Sequence, residues 1–146
     1  MRIFLVTIIS LFFFASCNAE KFDHPVQIKS AKTGKIHEFS MRIADDDQEH
    51  KTGLMFVKDL AQKQGMLFIF KEESIVGMWM KNTKIPLDML FVDNEGKIIM
   101  IHQMAQPESL DVIYAPTYIK YVIEINGGVA EKLGIEEGDE LIMTTF

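Results

Sequence analysis

Cysteine is almost missing from this 146-residue chain, whose one copy is Cys17, close to the amino terminus. No internal disulfide can form, so an exported domain built from this sequence must be held by its core alone, which is feasible at this length though not below about 40 residues. Zinc sites made of thiolates are excluded for the same reason. Basic clusters are lacking too. Lys and Arg number 15 against 21 Asp and Glu, a formal net charge of -6, and that balance opposes a nucleic-acid partner, whose phosphates need clustered cations. No apolar run reaches the roughly 20 residues of a membrane-spanning helix. Repeats, low-complexity segments, a nucleophile elbow, metalloprotease His-Glu spacing and a phosphate loop are likewise missing. What remains is rich in Leu, Ile, Phe and Met, with 48% hydrophobic residues overall. Most of the chain therefore has the means to fold.

The first residues carry an address. Arg2 supplies a positive start, and Ile3 to Phe14 is apolar apart from Thr7 and Ser10, the pattern of a secretory leader. Phe14-Ala15-Ser16-Cys17 resembles a bacterial lipobox, with Phe14 where Leu is usual. That resemblance implies a diacylglycerol on the Cys17 thiol and attachment to a membrane through the amino-terminal lipid. Cleavage after Ala19 is the alternative. Asn18, rather than Asp, follows the Cys, which favours the outer membrane in a cell with two. The expected organisation is a leader over 1–19, a tether over 20–25 and a single β-rich domain over 26–146, in the cell envelope and facing away from the cytoplasm.

Patterning in the mature part is mostly that of short strands. Val26 to Lys29 and Ile36 to Ile43 are strand candidates, with Phe39, Met41 and Ile43 on one face. The acidic run Asp45 to Glu49 reads as a capped helix start and Gly53 as its stop. Gly65 to Phe70 is apolar throughout, as in a strand covered on both faces. Val76 to Met80 and Leu87 to Asp93 are the next strands, and Asp93-Asn94-Glu95-Gly96-Lys97 predicts a hairpin that sets Leu87 to Val92 against Ile98 to Met104. Ala105 to Thr117 reads as a long loop, Tyr118 to Ile125 as a strand, Val129 to Leu133 as a short helix and Glu140 to Thr144 as a last strand. This predicts a mostly β fold, a compact β-barrel or jelly-roll-like sandwich with two short helices.

Gly53-Leu54-Met55, Gly65-Met66-Leu67-Phe68, Trp79-Met80-Lys81-Asn82-Thr83, Pro86-Leu87-Asp88 and Glu124 with Gly127-Gly128 after it occur in that order. Together they resemble domain-of-unknown-function family 192 over roughly residues 26 to 144. The resemblance implies a β-rich, barrel-like or jelly-roll-like domain that is often exported. It implies no activity.

The segment Trp79 to Asp88 holds the candidate site, because a large aromatic flanks a polar loop and an Asp interrupts an apolar strand. A buried carboxylate needs donors. On one reading Asp88 is scaffold, accepting from the Asn82 and Thr83 loop. On another, Trp79, Lys81, Asn82, Thr83, Asp88 and Glu124 line a pocket for a small ligand such as a sugar or peptide. A hydrolase would use Asp88 and Glu124 as a carboxylate pair. A soft-metal site for copper would draw on Met78, Met80, His102 and Met104, although Met in strands is more often core filling. His24, His37 and His50 lie apart and read as solvated. No cofactor is implied. The expected function is a small-ligand-binding or accessory module of the envelope, which leaves catalysis, ligand identity and protein partners open.

Overall fold

The computed structural model describes residues 21–143. The leader, with Cys17 and Ala19, lies outside the described residues. Strands β1 (His24–Lys29) and β2 (Ile36–Ala44) pair antiparallel around the turn at Gly34. Helix α1 (Asp47–Thr52) begins where the acidic run predicts. The Asp46 carboxylate accepts from the amides of Gln48 and Glu49, satisfying two orphan donors, and Gly53 ends the helix at φ 48°.

Next come β3 (Gln64–Ser74), β4 (Gly77–Met78), β5 (Leu87–Val92), β6 (Ile98–Ala105), β7 (Ile113–Tyr114), β8 (Ile119–Asn126), α2 (Val129–Leu133) and β9 (Glu140–Met143). Seven strands form one mixed sheet in the order β6-β5-β8-β3-β2-β1-β9, with β2 and β3 as its parallel pair. The sheet curls into a half-barrel. Its two ends meet where Lys97 bridges to Glu140, the Ile98 amide donates to the Asp139 carbonyl at 2.8 Å and the Leu141 amide donates to the Gly96 carbonyl at 2.7 Å. The Asp139 carboxylate fixes that corner by accepting from the amides of Ala31 and Glu136, both at 2.9 Å.

Curling gives the sheet an inner and an outer face, each with its own core. Inside pack Val26, Ile28, Phe39, Met41, Leu67, Leu90 and Ile123, plugged by Val129 and Ala130 of α2. Outside pack Leu54, Met66, Phe68, Met78, Met80, Met89 and Phe91. Strand β5 lies between the two and is buried at all six positions. Its continuous apolar pattern results from that placement.

Two expectations need correction: the strand predicted over Val76 to Met80 is confined to Gly77–Met78, and the loop prediction holds only in part. Ala105 to Thr117 is not wholly loop, because Ile113 and Tyr114 pair with Met78 and Gly77 in a two-stranded ribbon over the outer face. Two residues are too few to show a period of two, so the sequence carries no signal for this strand.

Candidate functional site

Strand β8 runs between β5 and β3, and its register settles which side chains meet. Glu124 stands opposite Met89 and Met66, whereas Asp88 stands opposite Ile125. Cross-strand partners share a face. Glu124 therefore belongs to the outer face and Asp88 to the inner one, and the sheet itself separates the two carboxyls. The carboxylate pair that a hydrolase would need is not assembled.

Asp88 is fully buried, and its donors differ from those expected. Its Oδ1 accepts from the amides of Met104 at 2.9 Å and Gly128 at 3.0 Å, and its Oδ2 accepts from the amide of Ala130 at 2.9 Å. None comes from the Asn82 and Thr83 loop. Gly128, at φ 82°, opens α2 without a capping side chain of its own, so Asp88 reaches across from β5 to supply the missing acceptor. The donors belong to residues 16 to 42 positions away, beyond the reach of local sequence reasoning.

Glu124 presents the opposite case. It is 4% exposed, lines a cleft on the outer face, and accepts no hydrogen bond among the described residues. Burial pushes its carboxyl up to about 8, and the attraction of Arg42 offsets this only in part. Arg42 comes from β2, where its Nη2 donates to the Gly53 carbonyl at 2.8 Å and its guanidinium lies 5.5 Å from the Phe22 ring centre. Gly65 of β3 lets β3 and β8 approach closely beside Glu124, on the inner face of the sheet. A Cβ there would stand 2.3 Å from the Glu124 carbonyl oxygen, so any side chain would force β3 and β8 apart.

The cleft is small and opens broadly to solvent, with a cavity volume of about 50 Å³. One wall runs from His50 near the end of α1 to Met55 beyond it, and the other comes from Gly77 to Trp79 with Lys81 and Thr83. The second wall is clamped by backbone hydrogen bonds. The Met80 amide donates to the Ser109 carbonyl at 3.1 Å, while the carbonyls of Asn82 and Thr83 accept from the amides of Phe56 and Glu108 at 2.9 and 3.0 Å. Phe56, Asn82 and Glu108 all have positive φ, at 64°, 55° and 60°. Asn accepts this conformation readily, whereas a bulky Phe adopts it only when its surroundings hold it there. Trp79 is 42% exposed, with the Lys81 ammonium 5.1 Å from its ring centre.

Of the six residues singled out in the sequence, Trp79, Lys81, Thr83 and Glu124 line this cleft. Asn82 shapes the loop instead, its Nδ2 turned to the Met55 sulfur at 3.7 Å. Asp88 is on the other side of the sheet. The four soft-metal candidates are divided: Met78 and Met80 are buried in the outer core, His102 is half-buried on edge strand β6 opposite Met89, and Met104, on the same strand, is 56% exposed with its sulfur near Gly127 and Gly128. Nor are all the histidines solvated. His37 is 7% exposed, and the His50 ring meets the Ala44 carbonyl at 3.0 Å and packs beside Phe70. Sequence reasoning passed over Arg42 and Lys51 and set His50 aside as solvated. Arg42 carried no signal, since it follows the exposed Glu38 and Ser40 on the face of β2 turned away from Phe39 and Met41, where an arginine reads as solvated.

Fold and site together define a small, mostly β half-barrel protein with a carboxyl-floored cleft on its outer face. The chain belongs to family DUF192, described as Uncharacterized ACR, whose model matches residues 28–143. A solved structure from Sinorhizobium meliloti 1021, described as a candidate transcription regulator, is 39% identical, with a TM-score of 0.80 over 82% of this chain and 92% of that one. A protein of unknown function from Novosphingobium aromaticivorans DSM 12444 is 34% identical, with a TM-score of 0.78 over 81% of this chain and 83% of that one. No curated protein matches.

Proposed function

We propose that this protein is an exported, lipid-anchored envelope module that binds a small polar ligand in the cleft between Trp79 and Glu124. The observation that carries the binding reading is Glu124. The residue is 4% exposed, and its carboxyl accepts no hydrogen bond among the described residues and faces the cleft instead of being sealed in the core, so its polar capacity is open to a partner from outside. A fold that keeps such a carboxyl at the floor of an open cleft, ringed by positive-φ backbone, has the features of a site held ready for an external partner. The lipobox-like Phe14-Ala15-Ser16-Cys17 supports the anchor. The regulator description of the Sinorhizobium protein offers a rival role, but a net charge of -6 opposes approach to a nucleic-acid backbone.

Thermal-shift screening of small polar compounds tests the binding part. Hits that raise the melting temperature of the wild type and lose that effect in Glu124→Leu are expected. Hits that stabilise both proteins equally place binding elsewhere and overturn the reading. Mass spectrometry of the mature amino terminus tests the anchor, where an unmodified start at Glu20 would remove it.

A further inference from the structure

The cleft runs against the charge of the molecule that carries it. In a chain of net charge -6, its lining holds Lys51, Lys81 and His50 against one acid, Glu124. Arg42 stands behind Gly53, close enough to attract the Glu124 carboxyl. We infer that the cleft takes a small hydroxylated anion, with a carboxylate or phosphate drawn to Lys51 and Lys81 at its mouth and a hydroxyl hydrogen-bonded to Glu124 at its floor. This rests on the binding reading above and names the chemical class of its ligand.

The alternatives each leave something unmet. A bare anion would satisfy the lysines and leave Glu124 without a partner. A neutral sugar would meet Glu124 and leave both ammonium groups to water. A cation would face Lys51, Lys81 and Arg42 together. A hydroxyl suits Glu124 because a protonated carboxyl both donates and accepts, as a hydroxyl does. Met66 and Met89, its neighbours on the flanking strands, offer no donor in competition.

The charged group that acts on Glu124 is Arg42 from β2, itself drawn by Glu49, while His50, Lys51 and Lys81 line the same cleft. Asp88 lies behind the sheet. As pH rises through about 8, Glu124 loses its donor and gains a charge that repels the anion. Affinity therefore falls in that window.

Trp79 is the single tryptophan of the chain, so its fluorescence reports on the cleft. Purified full-length protein is titrated with glucuronate, glycerol 3-phosphate, glucose, acetate and ethanolamine at pH 6.5 and pH 9, at matched ionic strength. At pH 6.5, glucuronate or glycerol 3-phosphate is expected to bind at least ten-fold more tightly than the other three, and ten-fold more tightly than at pH 9. Which of those two prevails decides between carboxylate and phosphate. Glu124→Gln, which keeps a donor and an acceptor, is expected to retain binding and lose the pH dependence. Glucose, acetate or ethanolamine matching the hydroxylated anions overturns the ligand class while leaving the binding reading intact. Silence from all five at both pH values overturns both.

Discussion

Two acids one residue out of register on neighbouring strands meet opposite treatment. Asp88 faces the inside of the half-barrel and is saturated by three backbone amides, while Glu124 faces outward and has no donor among the described residues. Both are buried, and burial alone predicts the same cost for each. Partners make the difference. The inner acid ties α2 and the end of β6 to β5, so it holds structure together. The outer acid stays protonated into the alkaline range and contributes nothing evident to stability.

That contrast can be broken in stages. The largest effect is expected at Asp88→Ala, which strips three buried amides of their acceptor and should cost about 3–5 kcal/mol, with a fall of many degrees in melting temperature by calorimetry. A loss under about 1 kcal/mol would mean that water replaces the carboxylate and that the inner face is not sealed.

Glu124 should show the reverse sign. Its carboxyl is pushed from 4.5 to about 8 in the fold, so between those values the unfolded chain releases a proton that the native one keeps, and stability falls as pH rises. The slope approaches about 1.4 kcal/mol per pH unit for one group. Glu124→Gln removes that slope, so chemical denaturation from pH 5 to pH 8 should find the variant gaining steadily on the wild type. Parallel curves would show that Glu124 finds a partner in solution.

Asp46→Ala removes the cap of α1, which walls the cleft, and should cost about 1 kcal/mol. If the loosened helix admits water to Glu124, the carboxyl titration tracked by NMR moves back toward 4.5, which sharpens the assignment of its shift to burial. Smallest is Lys81→Ala. The Lys81 and Trp79 contact is solvent-exposed, so melting should change by no more than about 0.5–1 kcal/mol, while Trp79 emission changes measurably.

Much of the fold was legible. The Asp45 to Glu49 run marked α1, the Asp93 to Lys97 turn marked the β5 and β6 hairpin, and Val129 to Leu133 matched α2 residue for residue. These are local decisions, made by caps, turns and short apolar runs within a few residues. Strand β4 fell within the predicted Val76 to Met80, but β7 and its pairing with β4 escaped because β7 is two residues long and far from its partner in the chain. The candidate site was legible only in part. Trp79, Lys81 and Thr83 lie in one short segment, whereas the α1 wall comes from a distant part of the chain and Arg42 acts from behind it through the order of the strands.

By itself, the sequence determined which residues are apolar, where turns and caps fall, and that Asp88 and Glu124 interrupt strands with polar groups. The tertiary structure alone decided which acid is scaffold and which is left open. A side chain's face depends on strand register, and its donors are amides delivered by distant segments, so no local pattern could assign the two roles.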